Sequence, residues 1–146
     1  MIQKLEKEYY KEITEIWEAS VRATHDFISE EDIIYYRDVV YNEFLAQLDV
    51  YGAIEENELK GFVGIQKNRV EMLFISPKFF HQGLGKKLMK FAIDELDIDE
   101  VDVNEQNPKA LEFYQKLGFE VIFRKEKDAS GRPYPVLFLK LKTNTK

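Results

Sequence analysis

The 146-residue chain contains no cysteine, so disulfides, thiolate-bound zinc and a cysteine nucleophile are all excluded. A cysteine-free chain also suits a reducing compartment. Proline and glycine are sparse, at four and seven residues, and they never cluster into a linker. Repeats and low-complexity tracts are missing too, which makes residues 1–146 a single expected domain. Long apolar runs are absent: the chain opens Met1-Ile2-Gln3-Lys4-Leu5-Glu6, with no signal-peptide core and no stretch of membrane-spanning length. The expectation is a soluble, cytoplasmic protein with no membrane partner. An excess of basic residues is lacking as well. The net charge is −6, against the basic stripe that nucleic-acid binding requires.

What the chain does have is core-forming material: 45% hydrophobic and 14% aromatic residues, enough to fold one compact unit. Acidic residues concentrate between Asp94 and Glu105, a run that reads as a solvated helix end and turn rather than a metal site.

Periodicity divides the chain into alternating elements. Ile2 to Leu5 starts a short strand, and Tyr9 to Ala23 carries apolar residues at helical spacing, among them Ile13, Ile16 and Trp17. After Thr24-His25-Asp26-Phe27, Ser29 is placed to cap a second helix through Phe44, with Asp32 as its capping-box partner. Asp49 to Ile54 and Leu59 to Gln66 read as a hairpin across Glu55-Glu56-Asn57-Glu58, followed by a third strand from Arg69 to Ile75. Gly83 to Leu96 is a helix and Val101 to Asn104 a brief strand. Pro108 to Leu117 is a helix with proline in its first turn and Gly118 at its stop. Phe119 to Glu126 and Tyr134 to Leu141 close the chain as strands. The order β-α-α-β-β-β-α-β-α-β-β predicts an α+β domain of three layers, a mixed central sheet flanked by about four helices.

The connection from the third strand into the third helix, Ser76-Pro77-Lys78-Phe79-Phe80-His81-Gln82-Gly83-Leu84-Gly85-Lys86-Lys87, carries the chemistry. A helix start offers unpaired N–H groups and partial positive charge, hence an anion site. Gly83 and Gly85 let backbone approach phosphate where a β-carbon would intrude. Lys86 and Lys87 sit where the helix dipole disfavours cations unless an anion binds there. A dinucleotide fold is excluded because the third glycine and its βαβ unit are missing, and a P-loop because Gly-Lys-Ser/Thr is missing.

Ile75-x-Pro77 followed by Gly83-x-Gly85 resembles motif A of the GNAT superfamily of N-acetyltransferases. Asn107-Pro108-Lys109-Ala110-Leu111-Glu112-Phe113-Tyr114-Gln115-Lys116-Leu117-Gly118-Phe119 resembles its motif B. Ala23 to Phe27, Val103 to Asn107 and Gly131 to Pro135 extend the likeness, to the small bacterial YjaB-type members, over essentially the whole chain. One position departs: the family's Arg/Gln of motif A falls on Phe80, where His81 or Gln82 is placed to substitute.

The resemblance implies a GNAT-like fold and direct transfer of acetyl from acetyl-CoA to a primary amine of a small molecule or protein, without a covalent enzyme intermediate or a metal. It implies that Leu73, Phe74 and Ile75 run beside the pantetheine and that His81, Gln82, Gly83, Leu84, Gly85 and Lys86 hold the pyrophosphate. Asn104 lines the pocket, and Asn107 bonds the pantetheine or simply caps its helix. Tyr114 takes the place of the general acid, since a tyrosine stays protonated at neutral pH. Two residues compete as base, unless the amine arrives partly neutral and water carries off its proton. Glu71 shares a strand face with Leu73 and Ile75 by the period of two, or forms a cross-strand salt bridge with a lysine. His25 serves as base or substrate ligand, or packs its loop. Asp26 either caps or binds the amine, and Tyr134 lines the acceptor side. The alternative is a non-catalytic acyl-CoA-binding or sensing domain, and a structural module whose glycines only serve turns is a third reading. The chain is expected to act as a monomer or homodimer.

Overall fold

The computed structural model describes residues 1–142. Seven strands form one mixed sheet: β1 (Ile2–Leu5), β2 (Asp49–Glu55), β3 (Glu58–Gln66), β4 (Arg69–Ile75), β5 (Glu100–Asn104), β6 (Phe119–Lys125) and β7 (Val136–Leu141), in the spatial order β1-β2-β3-β4-β5-β7-β6. Four helices flank it: α1 (Tyr10–Thr24), α2 (Glu30–Val39), α3 (Leu84–Leu96) and α4 (Pro108–Lys116). All pairings are antiparallel except β4 with β5. The expected element order holds, with three refinements. A 3₁₀ turn over Lys7–Tyr9 precedes α1, and α2 ends in a π-helical turn over Val40–Phe44. The β2–β3 connection tightens to Glu56-Asn57, both at positive φ (55° and 63°), as a two-residue hairpin turn of type I′ requires.

Two cores cover the two faces of the sheet. On one, Leu88, Met89 and Ala92 of α3 and Tyr114 of α4 pack on Val63, Val70, Val101 and Leu139. On the other, Ile13, Trp17 and Val21 of α1 and Ile33 of α2 pack on Val50, Phe62 and Met72. Phe62, fully buried in β3, anchors the second core, and its truncation to alanine costs about 3–5 kcal/mol.

Val70 and Met72 are two residues apart yet face opposite cores, because β4 is bulged. Ile65 pairs with Val70 and Gly64 with Met72, leaving Glu71 as the extra residue. A bulge bends its strand and breaks the period of two. Beyond it β4 parts from β5: only Arg69 with Glu100 and Val70 with Val101 pair before the strands splay. Leu73, Phe74 and Ile75 therefore keep one backbone edge free. Among the described residues, no helix is long and apolar enough to cross a membrane.

Two local expectations change. Ser29 does cap α2, accepting from the Asp32 amide at 3.1 Å, but Asp32 gives its carboxylate to Arg132 (2.9 Å) and Tyr134 instead of closing a capping box. The acidic run is also not uniformly solvated. Asp94, Glu95 and Asp97 are exposed on and after α3, whereas Asp102 lies in β5 with only 19% of its side chain exposed.

Candidate active site

The splayed strands open a cleft of about 1090 Å³. It runs from the start of α3, between β4 and β5, to the end of α1 and the β6–β7 loop. Its size exceeds that of a typical small-ligand pocket, roughly 300–1,000 Å³, and suits two ligands end to end.

At one mouth lies the loop into α3. Ser76 follows β4 with its amide on the Lys60 carbonyl (2.8 Å), and Pro77–Phe79 form a 3₁₀ turn. Lys60 sits 4.6 Å over the Phe79 ring, and Lys78 pairs with Glu58 at 3.1 Å, so the loop base is held from below. His81 (φ 65°) and Gly83 (φ 79°) then turn the chain through left-handed backbone into the helix. Among the described residues, the amides of His81, Gln82, Gly83, Leu84, Gly85 and Lys86 have no intramolecular acceptor, while the Lys87 amide reaches the Gly83 carbonyl at 3.0 Å. Among the described residues, no side chain caps the helix. Six successive donors are left open at the positive end of a 13-residue helix.

The glycines differ in what they demand. Gly83 needs its left-handed φ, which side chains rarely adopt. Gly85 is helical, and a β-carbon there would meet only the Phe113 ring at 3.6 Å, an ordinary contact. Nothing in the protein requires a glycine at that position. His81, Gly83, Leu84, Gly85 and Lys86 line the cleft, as does Phe80; the Gln82 side chain does not.

Along the cleft, Leu73, Phe74 and Ile75 form one wall, with Asn104 and Asn107 opposite. Asn107 caps α4 through its Oδ1, which accepts from the Ala110 amide at 3.3 Å, so only its amide nitrogen remains free. Asn104 Oδ1 accepts from the Gln106 amide at 2.9 Å. Tyr114 is 6% exposed and lines the same cleft, and among the described residues its hydroxyl has no hydrogen-bond partner. Burial, then the nearby Asp102, raises its pKa well above the ordinary tyrosine value, so the hydroxyl keeps its proton across the physiological range.

The far end is built from side chains. Burial lowers the His25 pKa to about 4, against the weaker opposing pull of Asp26, so the imidazole is neutral at pH 7. Its tautomer follows from proton accounting. The Thr24 hydroxyl donates to the Ser20 carbonyl (2.8 Å), so the 2.6 Å contact between Thr24 Oγ1 and His25 Nδ1 needs the proton on Nδ1. Nε2 then carries a free lone pair. Phe27 and Phe74 flank the ring at 5.2 and 6.4 Å. Asp26 is exposed, lines the cleft and makes no side-chain hydrogen bond or ion pair among the described residues, so it does not act as a cap.

Tyr134 lines the cleft and ties the β6–β7 loop to α2. Its hydroxyl donates to Asp32, which also holds Arg132, and Tyr36 donates to Asp128 on the same loop. The Arg132 guanidinium stacks 3.7 Å from the Tyr35 ring centre.

Glu71 departs from its expected setting. The bulge turns it away from the face of Leu73 and Ile75 and sets it beside Asp102, and no lysine pairs with it among the described residues. Asp102 was missed by sequence reasoning, which took it for part of a solvated run. The alternation Glu100-Val101-Asp102-Val103-Asn104 was the available signal, since a period of two puts Asp102 on the polar face with Asn104. The Asp32–Arg132–Tyr134 clamp was also missed, and separations of 100 and 102 residues leave no local trace of it.

The acetyltransferase (GNAT) domain family matches residues 10–134 of the chain. The chain belongs to the GNAT family of acetyltransferases. The peptidyl-lysine N-acetyltransferase YjaB of Escherichia coli K12 is 37% identical over 139 residues, covering 94% of each chain. The solution structure of apo YjaB from Escherichia coli superposes with a TM-score of 0.86 at 34% identity, over 96% of this chain and 95% of that one. The PaiA N-acetyltransferase of Thermoplasma acidophilum in complex with coenzyme A gives 0.73 at 26% identity, over 96% of this chain and 98% of that one. This GNAT protein is thus an N-acetyltransferase. Among the described residues of the acetyltransferase, no group of three or more His, Asp or Glu side chains is arranged to hold a metal ion.

Proposed function

We propose that residues 1–146 act as one cytoplasmic domain that acetylates the ε-amino group of lysine in a peptide or protein. The single observation that carries the donor side is the row of six unpaired amides from His81 to Lys86, which suits a diphosphate and nothing within the protein. Gly85 supports it, because its missing β-carbon leaves room on the cleft side alone. The Leu73–Ile75 edge, freed by the splay, offers strand-like hydrogen bonds to the pantetheine amides, and the Asn107 amide nitrogen lies opposite. The lysine acceptor is supported by the YjaB relative and by a second channel end that bears carboxylates and a neutral imidazole. A cytoplasmic setting agrees with the cysteine-free composition.

In this reading the lysine amine attacks the thioester carbon, the C–N bond forms, and the C–S bond breaks. Tyr114 hands its proton to the departing thiolate, a role its cleft-facing, unpartnered hydroxyl can fill. Glu71 accepts a proton from the amine. His25 Nε2 and Asp26 accept hydrogen bonds from the incoming lysine, and Tyr134 keeps the loop over that end closed. The decisive experiment pairs acetyl-CoA with a panel of lysine peptides and free polyamines and follows released CoA thiol. Acetylation of lysine peptides is the expected outcome. Tight acetyl-CoA binding without any acyl transfer would favour the sensing domain, and absence of binding would remove the donor assignment.

A further inference from the structure

Four charged groups meet where β4 and β5 begin to part: Arg69 and Glu71 on one strand, Glu100 and Asp102 on the other. Arg69 donates through Nε (3.1 Å) and a terminal nitrogen (2.5 Å) to the same Glu100 oxygen. Its approach to Asp102 Oδ1 is 3.6 Å, beyond a hydrogen bond. Lys140 lies 3.9 Å from Glu100 and 3.6 Å from Asp99, so it too is engaged elsewhere. Asp102 and Glu71 are therefore neighbours that share only the Arg69 guanidinium, already bonded to Glu100, and among the described residues neither receives a hydrogen bond from a cation. Asp102 Oδ1 is sealed from solvent and is the one such side-chain atom without a partner among the described residues.

Glu71 and Asp102 follow the paired Val70 and Val101 on adjacent strands, and two neighbouring carboxylates have four acceptor oxygens and no hydrogen between them. Like charges on neighbouring residues in a partly buried site resist ionising together, and one proton resolves both the repulsion and the missing donor. Burial falls more heavily on Asp102, whose pKa is driven well above the usual carboxylate range by desolvation first and by Glu71 second. We infer that Asp102 is a neutral carboxylic acid that donates its proton in a hydrogen bond to Glu71, making it a positioning residue that holds the Glu71 carboxylate at the cleft wall for the acceptor amine. This deepens the acetyltransferase reading and rests on it.

The proton balance follows. A lysine arrives as an ammonium and gives one proton to Glu71, whose carboxylate becomes a carboxylic acid, while Asp102 keeps its own proton throughout. The neutral amine attacks. As the C–N bond forms, the second proton leaves the nitrogen and replaces the one Tyr114 has given to the thiolate. Glu71 releases its proton to solvent, so the net release is one proton per turnover. Tyr114 of α4 and Arg69, Glu71 and Glu100 of the strands are the charged or titratable groups near Asp102, and Phe138 of β7 faces it without titrating.

The first test needs no substrate. With aspartate carboxyls labelled with carbon-13 and correlated to their own backbone, the Asp102 signal is expected to be protonated at pH 7 and to titrate above neutrality. Titration alongside the other aspartates in the acid range would overturn the proposal. Linkage gives a second readout. A carboxyl with a raised folded-state pKa contributes stability that is complete below its unfolded value, near 4, and is lost as pH rises through the folded value. The melting temperature of Asp102→Asn should therefore gain on wild type as pH rises from about 4 to above neutrality; a difference that stays flat over that range contradicts it.

Activity supplies the third readout. The alkaline limb of the wild-type kcat profile, where Asp102 ionises, should be missing in Asp102→Asn. Asp102→Leu, which cannot donate, should lose about tenfold or more in kcat at every pH with KM for acetyl-CoA unmoved. An Asp102→Asn profile that keeps the alkaline limb would sink the assignment. If wild type acetylates no lysine peptide, the acceptor reading fails, whereas the carbon-13 titration still decides the state of the pair.

Discussion

The two ends of the cleft are built from different kinds of polar group. At the α3 end the donors are backbone amides, fixed by the turn through His81 and Gly83 and indifferent to most side chains. At the α1 and β6–β7 end the polar groups that line it are side chains: His25, Asp26, Glu71 and Tyr134, the last held by Asp32. A site made of main chain tolerates sequence change, which is how Phe80 can stand where the motif has Arg or Gln. The other end is tuned residue by residue, because each group depends on its own burial and partners.

The contrast can be broken by substitution. The largest expected effect is that of Tyr114→Phe, on the order of 10²-fold or more in kcat with acetyl-CoA affinity unchanged. Released CoA thiol and calorimetry would measure the two separately, and unchanged turnover would remove the assigned acid. Gly85→Ala sharpens the other side. Alanine suits a helix better by up to about 1 kcal/mol, so the unliganded protein should melt higher, while acetyl-CoA binds roughly tenfold weaker because the new methyl enters the cleft. Thermal unfolding with and without acetyl-CoA tests both halves, and unweakened binding would show that the ligand does not approach there. Asp32→Ala releases Arg132 and Tyr134 at once. It should raise KM for the acceptor several-fold, as seen in steady-state kinetics, without moving that for acetyl-CoA.

The smallest expected effect is one of pH. His25 has a folded pKa of about 4 against about 6.5 unfolded, so the unfolded chain binds the extra proton in between. Stability is complete above about 6.5 and falls as pH drops toward 4, by about 1–2 kcal/mol at pH 5. His25→Gln should flatten that slope in denaturant titrations at successive pH values.

The same contrast governs what the sequence could reveal. The α3 loop was legible because its signal is local: glycines at fixed spacing, a strand before and a helix after. Element order was legible for the same reason, and so was the Asn107 cap, three residues from its amide partner. Glu71 was placed on the wrong face because a bulge depends on how β3 and β4 register, which strand periodicity does not encode. Asp102 was hidden by its acidic neighbours, which are solvated while it is not. The clamp joins α2 to a loop about a hundred residues later and becomes visible only once the sheet has brought them together.

The central claim is that main-chain amides at the start of α3 grip the acyl donor. Backbone nitrogen-15 NMR with acetyl-CoA tests it most directly, residue by residue. The account predicts large shifts and new protection from hydrogen exchange at His81 through Lys86, with smaller changes along Leu73 to Ile75. Saturation with acetyl-CoA that left those six amides unmoved and freely exchanging would contradict it.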